Sequence, residues 1–170
     1  MLKLLEAPSP QPPDRSAPAR LEYRYERLVS IAKELTPLGV RNWEGLPSRL
    51  KTHQLDVNWE QALLYDLNGY LHILTVRDTE VGNKLVGYII NQVVHPIMWT
   101  STKWAIIEAI YLSEEYREGW TGYTMLKKND KSMKELGVKI IKVFCPVGTF
   151  EPLLKRLGYE FLEVAGFKFL

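Results

Sequence analysis

Apolar positions at Leu21, Tyr25, Leu28, Ala32 and Leu35 recur at spacings of 4, 3, 4 and 3. That is one stripe of an amphipathic helix, and it predicts a helix ending before Pro37-Leu38-Gly39. A second, short helix is expected from Asn58. Asn58 and Gln61 stand at capping-box spacing, and Val57 can staple against Ala62. Trp59, Leu63 and Leu67 would then face inward, and Asn68-Gly69 would stop the helix. Beyond Gly69 the pattern turns to β-formers. Tyr70 to Arg77 (YLHILTVR) reads as a strand, residues 78–83 with Gly82-Asn83 as a hairpin turn, and Leu85 to His95 as a long strand stopped by Pro96. Trp104 to Leu112 (WAIIEAIYL) is apolar on both faces, which suits the middle of a sheet.

The period changes again after Leu112. Gly119 to Leu136 predicts a turn and a helix with Tyr123, Leu126, Met133 and Leu136 inward, closed by Gly137. Val138 to Phe144 (VKIIKVF) is a strand. Strand, helix and strand make a βαβ crossover, so strands 104–112 and 138–144 should run parallel. Thr149 to Leu157 predicts a short helix closed by Gly158. Tyr159 to Leu162 and Phe167 to Leu170 read as final short strands. The expected order is α, α, β, β, β, α, β, α, β, β. It gives an α/β (α+β) fold with a mixed central sheet, flanking helices and one strong βαβ unit.

Residues 1–20 stand apart, with five of the ten prolines. Proline fixes its backbone and removes a donor, so this segment is expected to be an extended arm, with one domain over 21–170. An arm of ~20 extended residues reaches up to roughly 60–70 Å, enough to tether a partner protein. Of 170 residues, 46% are hydrophobic and 25% charged, as expected of a folded globular chain. The longest uncharged stretch, Leu85 to Lys103, is broken by Asn91, Gln92, His95 and Pro96, which argues against a membrane span. The first residues are expected not to form a signal peptide. The 22 basic residues are balanced by 20 acidic ones, which gives no electrostatic case for nucleic acid. Cys145 is the only cysteine, so no internal disulfide is expected, and the three histidines show no metal-ligand spacing. A cytoplasmic, reducing compartment is the default expectation.

Candidate chemistry concentrates between Ile106 and Val143. Arg117, Gly119 and Gly122 lie in the turn from a buried strand to a helix. Glycines there let N–H groups point into one concavity, where the helix dipole adds positive potential, so a phosphate would be well received. Thr121 could cap the helix and Arg117 could pair with a phosphate oxygen. A plain strand-to-helix turn remains the alternative. Glu108 sits on the apolar strand, with Ile106 and Ile110 as same-face neighbours. A carboxylate buried there would have its pKa raised, which suits a general base, unless it pairs with a neighbouring Lys or Arg. His95 closes the preceding strand. It is either an imidazole bonded to a backbone carbonyl or a proton carrier.

These segments resemble the GNAT superfamily of acetyl-CoA-dependent N-acyltransferases. EEYREGWTGYTML is similar to the family's acyl-CoA motif, KELGVKIIKV to the end of its helix and the next strand, and FEPLLKRLGYEFLEVAGFKFL to its closing helix and strands. The resemblance covers roughly residues 20–170. Within it, Asn58 to His95 is similar to GNAT-like proteins encoded by bacteriophages. The resemblance implies that strands 104–112 and 138–144 part at their C-terminal ends and admit the pantetheine arm. That arm would bond to the backbone of Ile110, Tyr111 and Leu112. The pyrophosphate would rest on amides of Gly119, Trp120, Thr121, Gly122 and Tyr123, beside Arg117. Glu108, with His95 as a second candidate, would take the proton from an amine acceptor, either a small molecule or a protein. The acceptor groove would be built from residues around 36–57 and the final hairpin.

The sequence departs from the family pattern twice. Trp120 stands where a glycine is usual, with Gly119 one position early, and could block the cradle. Leu154 occupies the place of the usual general-acid tyrosine, leaving Tyr111, Tyr123 and Cys145 as substitutes. Two functions are therefore expected: an acetyl-CoA-dependent N-acyltransferase, or an inactive GNAT-fold subunit, such as a virion component anchored by its arm. A homo-oligomer is compatible with both.

Overall fold

The computed structural model describes residues 20–47, 54–144 and 150–162. The arm (residues 1–19), Cys145 and the expected strand Phe167–Leu170 lie outside the described residues. Five strands form one sheet in chain order. They are β1 (Leu21–Tyr25), β2 (Leu71–Asp78), β3 (Lys84–Val94), β4 (Trp104–Leu112) and β5 (Ile140–Val143). β1 to β4 pair antiparallel, and β4 pairs parallel with β5, as the βαβ crossover requires. Helices α1 (Leu28–Glu44) and α2 (Trp59–Leu67) cover one face; α3 (Thr121–Glu135) and α4 (Glu151–Arg156) cover the other.

Each face has its own core. Leu28, Ile31, Leu35 and Leu38 of α1 pack on Ile73, Tyr88 and Tyr111. Met125 and Leu126 of α3 and Leu154 of α4 pack on Leu74, Val76, Val86, Ile89 and Ile107. A buried amide pair fixes α3 to the sheet. Asn91 Nδ2 donates to Asn129 Oδ1 at 2.8 Å and Asn129 Nδ2 returns a bond to Asn91 Oδ1 at 3.2 Å, with both residues 0% exposed. Two amides satisfying each other avoid the cost of a lone buried polar group.

The first element differs from expectation. Leu21 to Tyr25 is a strand, pairing from Leu21↔Asp78 to Tyr25↔Leu74. LEYRY alternates with period two, and its ends also fall four residues apart, so both templates fit. The edge of β2 decides in favour of the strand, and Leu21 and Tyr23 pack against the α3-side core. The helix then runs through Pro37 to Glu44. Proline removes one ladder donor, but Leu35 and Leu38 on either side are each 5% exposed and hold the helix together by burial.

In α2, Asn58 does cap, accepting from the Gln61 N–H at 3.0 Å. Leu67, however, is 71% exposed, and the buried residue is Asp66, paired with Arg27 at 2.9 Å. Leu136 at the end of α3 is likewise exposed, with Gly137 left-handed at φ 77° as the expected stop. Residues Tyr159 to Leu162 form no strand. The β2–β3 turn is as expected, with Gly82 and Asn83 both at φ 62°.

Arg77, 5% exposed, ties β2 to α1. It donates from Nε to Glu26 at 2.8 Å and from Nη1 to Glu34 at 2.9 Å, and also to the Asn83 carbonyl. Burial pushes the Glu26 carboxyl up, but bonds from Arg77 and Thr75 outweigh it and hold it below 4.5. Asp78 is held down at about 2, first by the Tyr116 hydroxyl and also by Arg20. A carboxyl depressed by folding contributes stability above its ordinary pKa and loses it as pH falls through the folded value. We expect the urea midpoint to fall from about pH 4.5 to pH 2, with Arg77→Met removing the Glu26 part of that dependence, leaving the Asp78 part, and costing about 2–3 kcal/mol at neutral pH, below the ~3–5 of a fully buried pair. Urea titrations read by circular dichroism at several pH values check this.

Candidate functional site

β4 carries the site because its two neighbours treat it differently. On the β3 side the register shifts between Ile90 and Asn91. Ile90 faces Ala109 and Asn91 faces Ile107, so Glu108 is the extra residue of a bulge. On the β5 side pairing stops at Ile107↔Val143, while β4 runs on to Leu112. Past Ile107, therefore, β4 has no described neighbour on that side. A bulge re-aims a side chain and commonly marks a functional position. Here it breaks the expected alternation. Ala109 joins the α1-side core, Ile110 the α3-side core, and Glu108 is exposed instead of sharing a buried face with Ile106 and Ile110. The burial on which its expected basicity rested is absent.

Two cavities meet at this residue. The first, about 840 Å³, lies between α1, α2 and the strands β2 to β4. The second, about 540 Å³, runs along Ile107 to Leu112 between the end of α1, the start of α3 and α4. Asn42, Leu46, Glu108 and Ala109 line both. Their charges are opposite. The described charged residues lining the first are Asp56 and Glu108; in the second, Arg41 and Arg117 join Glu108.

Of the residues that the resemblance implied for acetyl-CoA, Ile110, Tyr111, Leu112, Arg117 and Gly122 line the second cavity, and Gly119, Trp120, Thr121 and Tyr123 do not. Arg117 Nε donates to the Leu112 carbonyl at 2.8 Å, which already occupies one acceptor at the strand end. Gly119 adopts φ 69°, a left-handed turn that favours glycine, and so delivers the chain into α3. Thr121 does not cap that helix. It is the first helical residue, the N-cap position is Trp120, no side chain caps it, and the first turn holds no acid. The first amides of α3 thus have no N-cap side-chain acceptor and no acid within their own turn. The Trp120 indole packs edge-on to Tyr123 at 5.2 Å and beneath the Arg156 guanidinium at 5.7 Å, and neither aromatic lines the cavity.

His95 is not brought to this place. It follows Val94, which faces Trp104, so it lies on the order of 13 Å along the sheet from Glu108. Its Nδ1 is 3.0 Å from the Thr100 carbonyl. Leu154 is 1% exposed in the α3-side core. Of the three substitute acids, Tyr111 borders the second cavity, Tyr123 turns to Trp120, and Cys145 lies outside the described residues. Sequence reasoning missed the C-terminal half of α1. Asn42 Nδ2 donates to the Tyr88 hydroxyl at 3.1 Å, and burial pushes that phenol up to about 12. The signal was present, since the buried spacing Leu28, Ile31, Leu35, Leu38 continues past Pro37.

Solved structures share this architecture. An aminoglycoside acetyltransferase from an uncultured soil metagenomic sample matches with TM-score 0.67 at 14% identity, covering 90% of this chain and 98% of its own. The ribosomal-protein-alanine N-acetyltransferase of Brucella melitensis biovar Abortus 2308 matches at 0.64 and 15%, covering 88% and 99%. AAC(6')-Iy, solved with the bisubstrate analogue CoA-S-monomethyl-acetylneamine, matches at 0.66 and 12%, covering 88% and 97%. The chain has the GNAT fold. No family model and no curated protein matches its sequence. Among the described residues no helix is long and apolar enough to cross a membrane, and no group of three or more His, Cys, Asp or Glu could hold a metal ion.

Two glycines next to the cavity separate crowding from freedom. A Cβ on Gly87 would sit 2.8 Å from Leu112 Cδ1 and 3.0 Å from the Tyr111 carbonyl, whereas one on Gly122 meets only Leu153 Cδ2 at 3.7 Å. We expect Gly87→Ala to cost about 1–3 kcal/mol through overpacking against β4. Gly122→Ala should be neutral or stabilising by up to about 1 kcal/mol through helix propensity. Urea denaturation of the two variants checks both signs.

Proposed function

We propose that the protein is an acetyl-CoA-dependent N-acetyltransferase, with the second cavity as the donor cleft and the first as the acceptor groove. One observation carries the reading. Two cavities of opposite charge, counted over their described lining, meet at Glu108, the residue of β4 that no described strand opposes. The donor side suits an anionic nucleotide thioester. Arg41 and Arg117 supply positive charge, the start of α3 offers amides, and the stretch of β4 past Ile107, which pairs with no described strand on that side, offers peptide groups to an extended arm. The solved neighbours named above are acetyltransferases, and one of them holds a CoA-containing analogue.

Acetyl-CoA would supply a thioester whose carbonyl carbon accepts the amine lone pair and whose sulfur leaves with the bonding electrons. The chain's own residues prepare the acceptor. Glu108 faces the groove and takes a proton from the bound ammonium or the attacking amine, directly or through water. Asn42 and Tyr88 hold α1 against β3 beside it, so the junction keeps its width. Tyr111 borders the donor cleft, where the leaving thiolate needs a proton. A structural-subunit role rests on the proline-rich arm, outside the described residues, and the named neighbours lend it no support.

Calorimetric titration of the full chain with acetyl-CoA should show micromolar binding; absence of heat at ~1 mM ligand would remove the enzymatic reading. Glu108→Gln should keep that affinity while lowering the acetylation rate about 10²–10⁴-fold, the usual loss of a general base. Trapping free CoA thiol with a chromogenic disulfide follows the rate.

A further inference from the structure

The acceptor groove carries information about its ligand beyond the presence of an amine. Its walls are aromatic: Trp43 from α1, Trp59 and Tyr65 from α2, and Tyr88 from β3 all line it. Among the described lining residues the charged side chains number two, Asp56 and Glu108, both acidic. The rest is aliphatic or neutral polar. At about 840 Å³ the groove accommodates a body much larger than a simple alkylamine.

These features select by charge number. Glu108 and Asp56 are the described carboxylates able to accept an ammonium, and the indoles offer cation–π contact. A polycation of three or more charges exceeds the two described carboxylates and lays charge against aromatic or aliphatic wall, where an unpaired charge is costly. An apolar body, by contrast, gains from every aromatic wall it covers. We propose that the groove takes a primary amine bearing one positive charge on an aromatic or branched apolar body, and discriminates against polycations. The inference deepens the acetyltransferase reading and rests on it for the identity of the acceptor side. It sets this chain apart from its solved neighbours named for aminoglycosides, which are polyamines.

Binding without any acyl donor tests it. Calorimetry on the full chain would compare 4-phenylbutylamine, the neutral 4-phenylbutanol and the trication spermidine. The arylamine should bind at least about tenfold more tightly than either of the others. Asp56→Asn should weaken the arylamine about threefold and leave the alcohol unchanged, whereas Trp59→Ala should weaken both. Both side chains are exposed, so folding is expected to survive, and circular dichroism verifies it. Spermidine binding as tightly as the arylamine, or no heat from the arylamine at ~10 mM, overturns the proposal. The two readings fail separately. Loss of acetyl-CoA binding would sink the enzyme and leave these titrations unmoved, whereas failure here leaves the donor cleft intact.

Discussion

Everything distinctive in this molecule follows from the interrupted pairing of β4. A strand in mid-sheet normally spends its peptide groups on both neighbours, and its side chains alternate strictly. Here the β3 side skips one residue and the β5 side stops after Ile107↔Val143. The skip rotates Glu108 out of the alternation, and past the stop no described strand pairs with Glu108 to Leu112 on that side. Each alone would be a local irregularity. Together they place an exposed carboxylate where a peptide-lined cleft and an aromatic groove join.

The surrounding structure keeps that opening in shape. Gly87 lets β3 approach Leu112 closely, with no room for a Cβ. The Asn91–Asn129 pair sits at the bulge and fixes α3 to β3, so the helix start and the strand end keep their relative positions. On the other face, α1 is held by a continuous apolar stripe and by Asn42 on Tyr88. The described charges divide accordingly, with Arg41 and Arg117 lining the second cavity, Asp56 the first, and Glu108 both. That division puts opposite potentials on the two sides of one carboxylate.

Several elements were legible in the chain because their signals are local. Asn58 with Gln61, the Gly82-Asn83 turn, Gly137 after α3 and the apolar run of β4 each identify their element through backbone chemistry or period. The first element was not, because LEYRY satisfies both a period of two and a spacing of four. Nor was the true end of α1, since a proline inside a helix is tolerated only when burial on both sides outweighs the lost bond. At the site, Arg117, Gly119 and Gly122 could be read from the strand–turn–helix pattern. The resemblance pointed to residues around 36–57, which include Asn42, Trp43 and Asp56, but not to Trp59, Tyr65 or Tyr88, which come from elements distant in sequence.

The sequence by itself determined the βαβ unit, the parallel pairing of its strands and the helix start that faces them, because hydrophobic period and crossover handedness depend on the local chain alone. Only the tertiary structure decided that Glu108 is exposed, that His95 is remote from it, and that the Trp120 indole packs on Tyr123 and Arg156. Those outcomes depend on register. A one-residue bulge flips every later side chain of a strand, and no pattern within the strand records which residue its neighbour will skip.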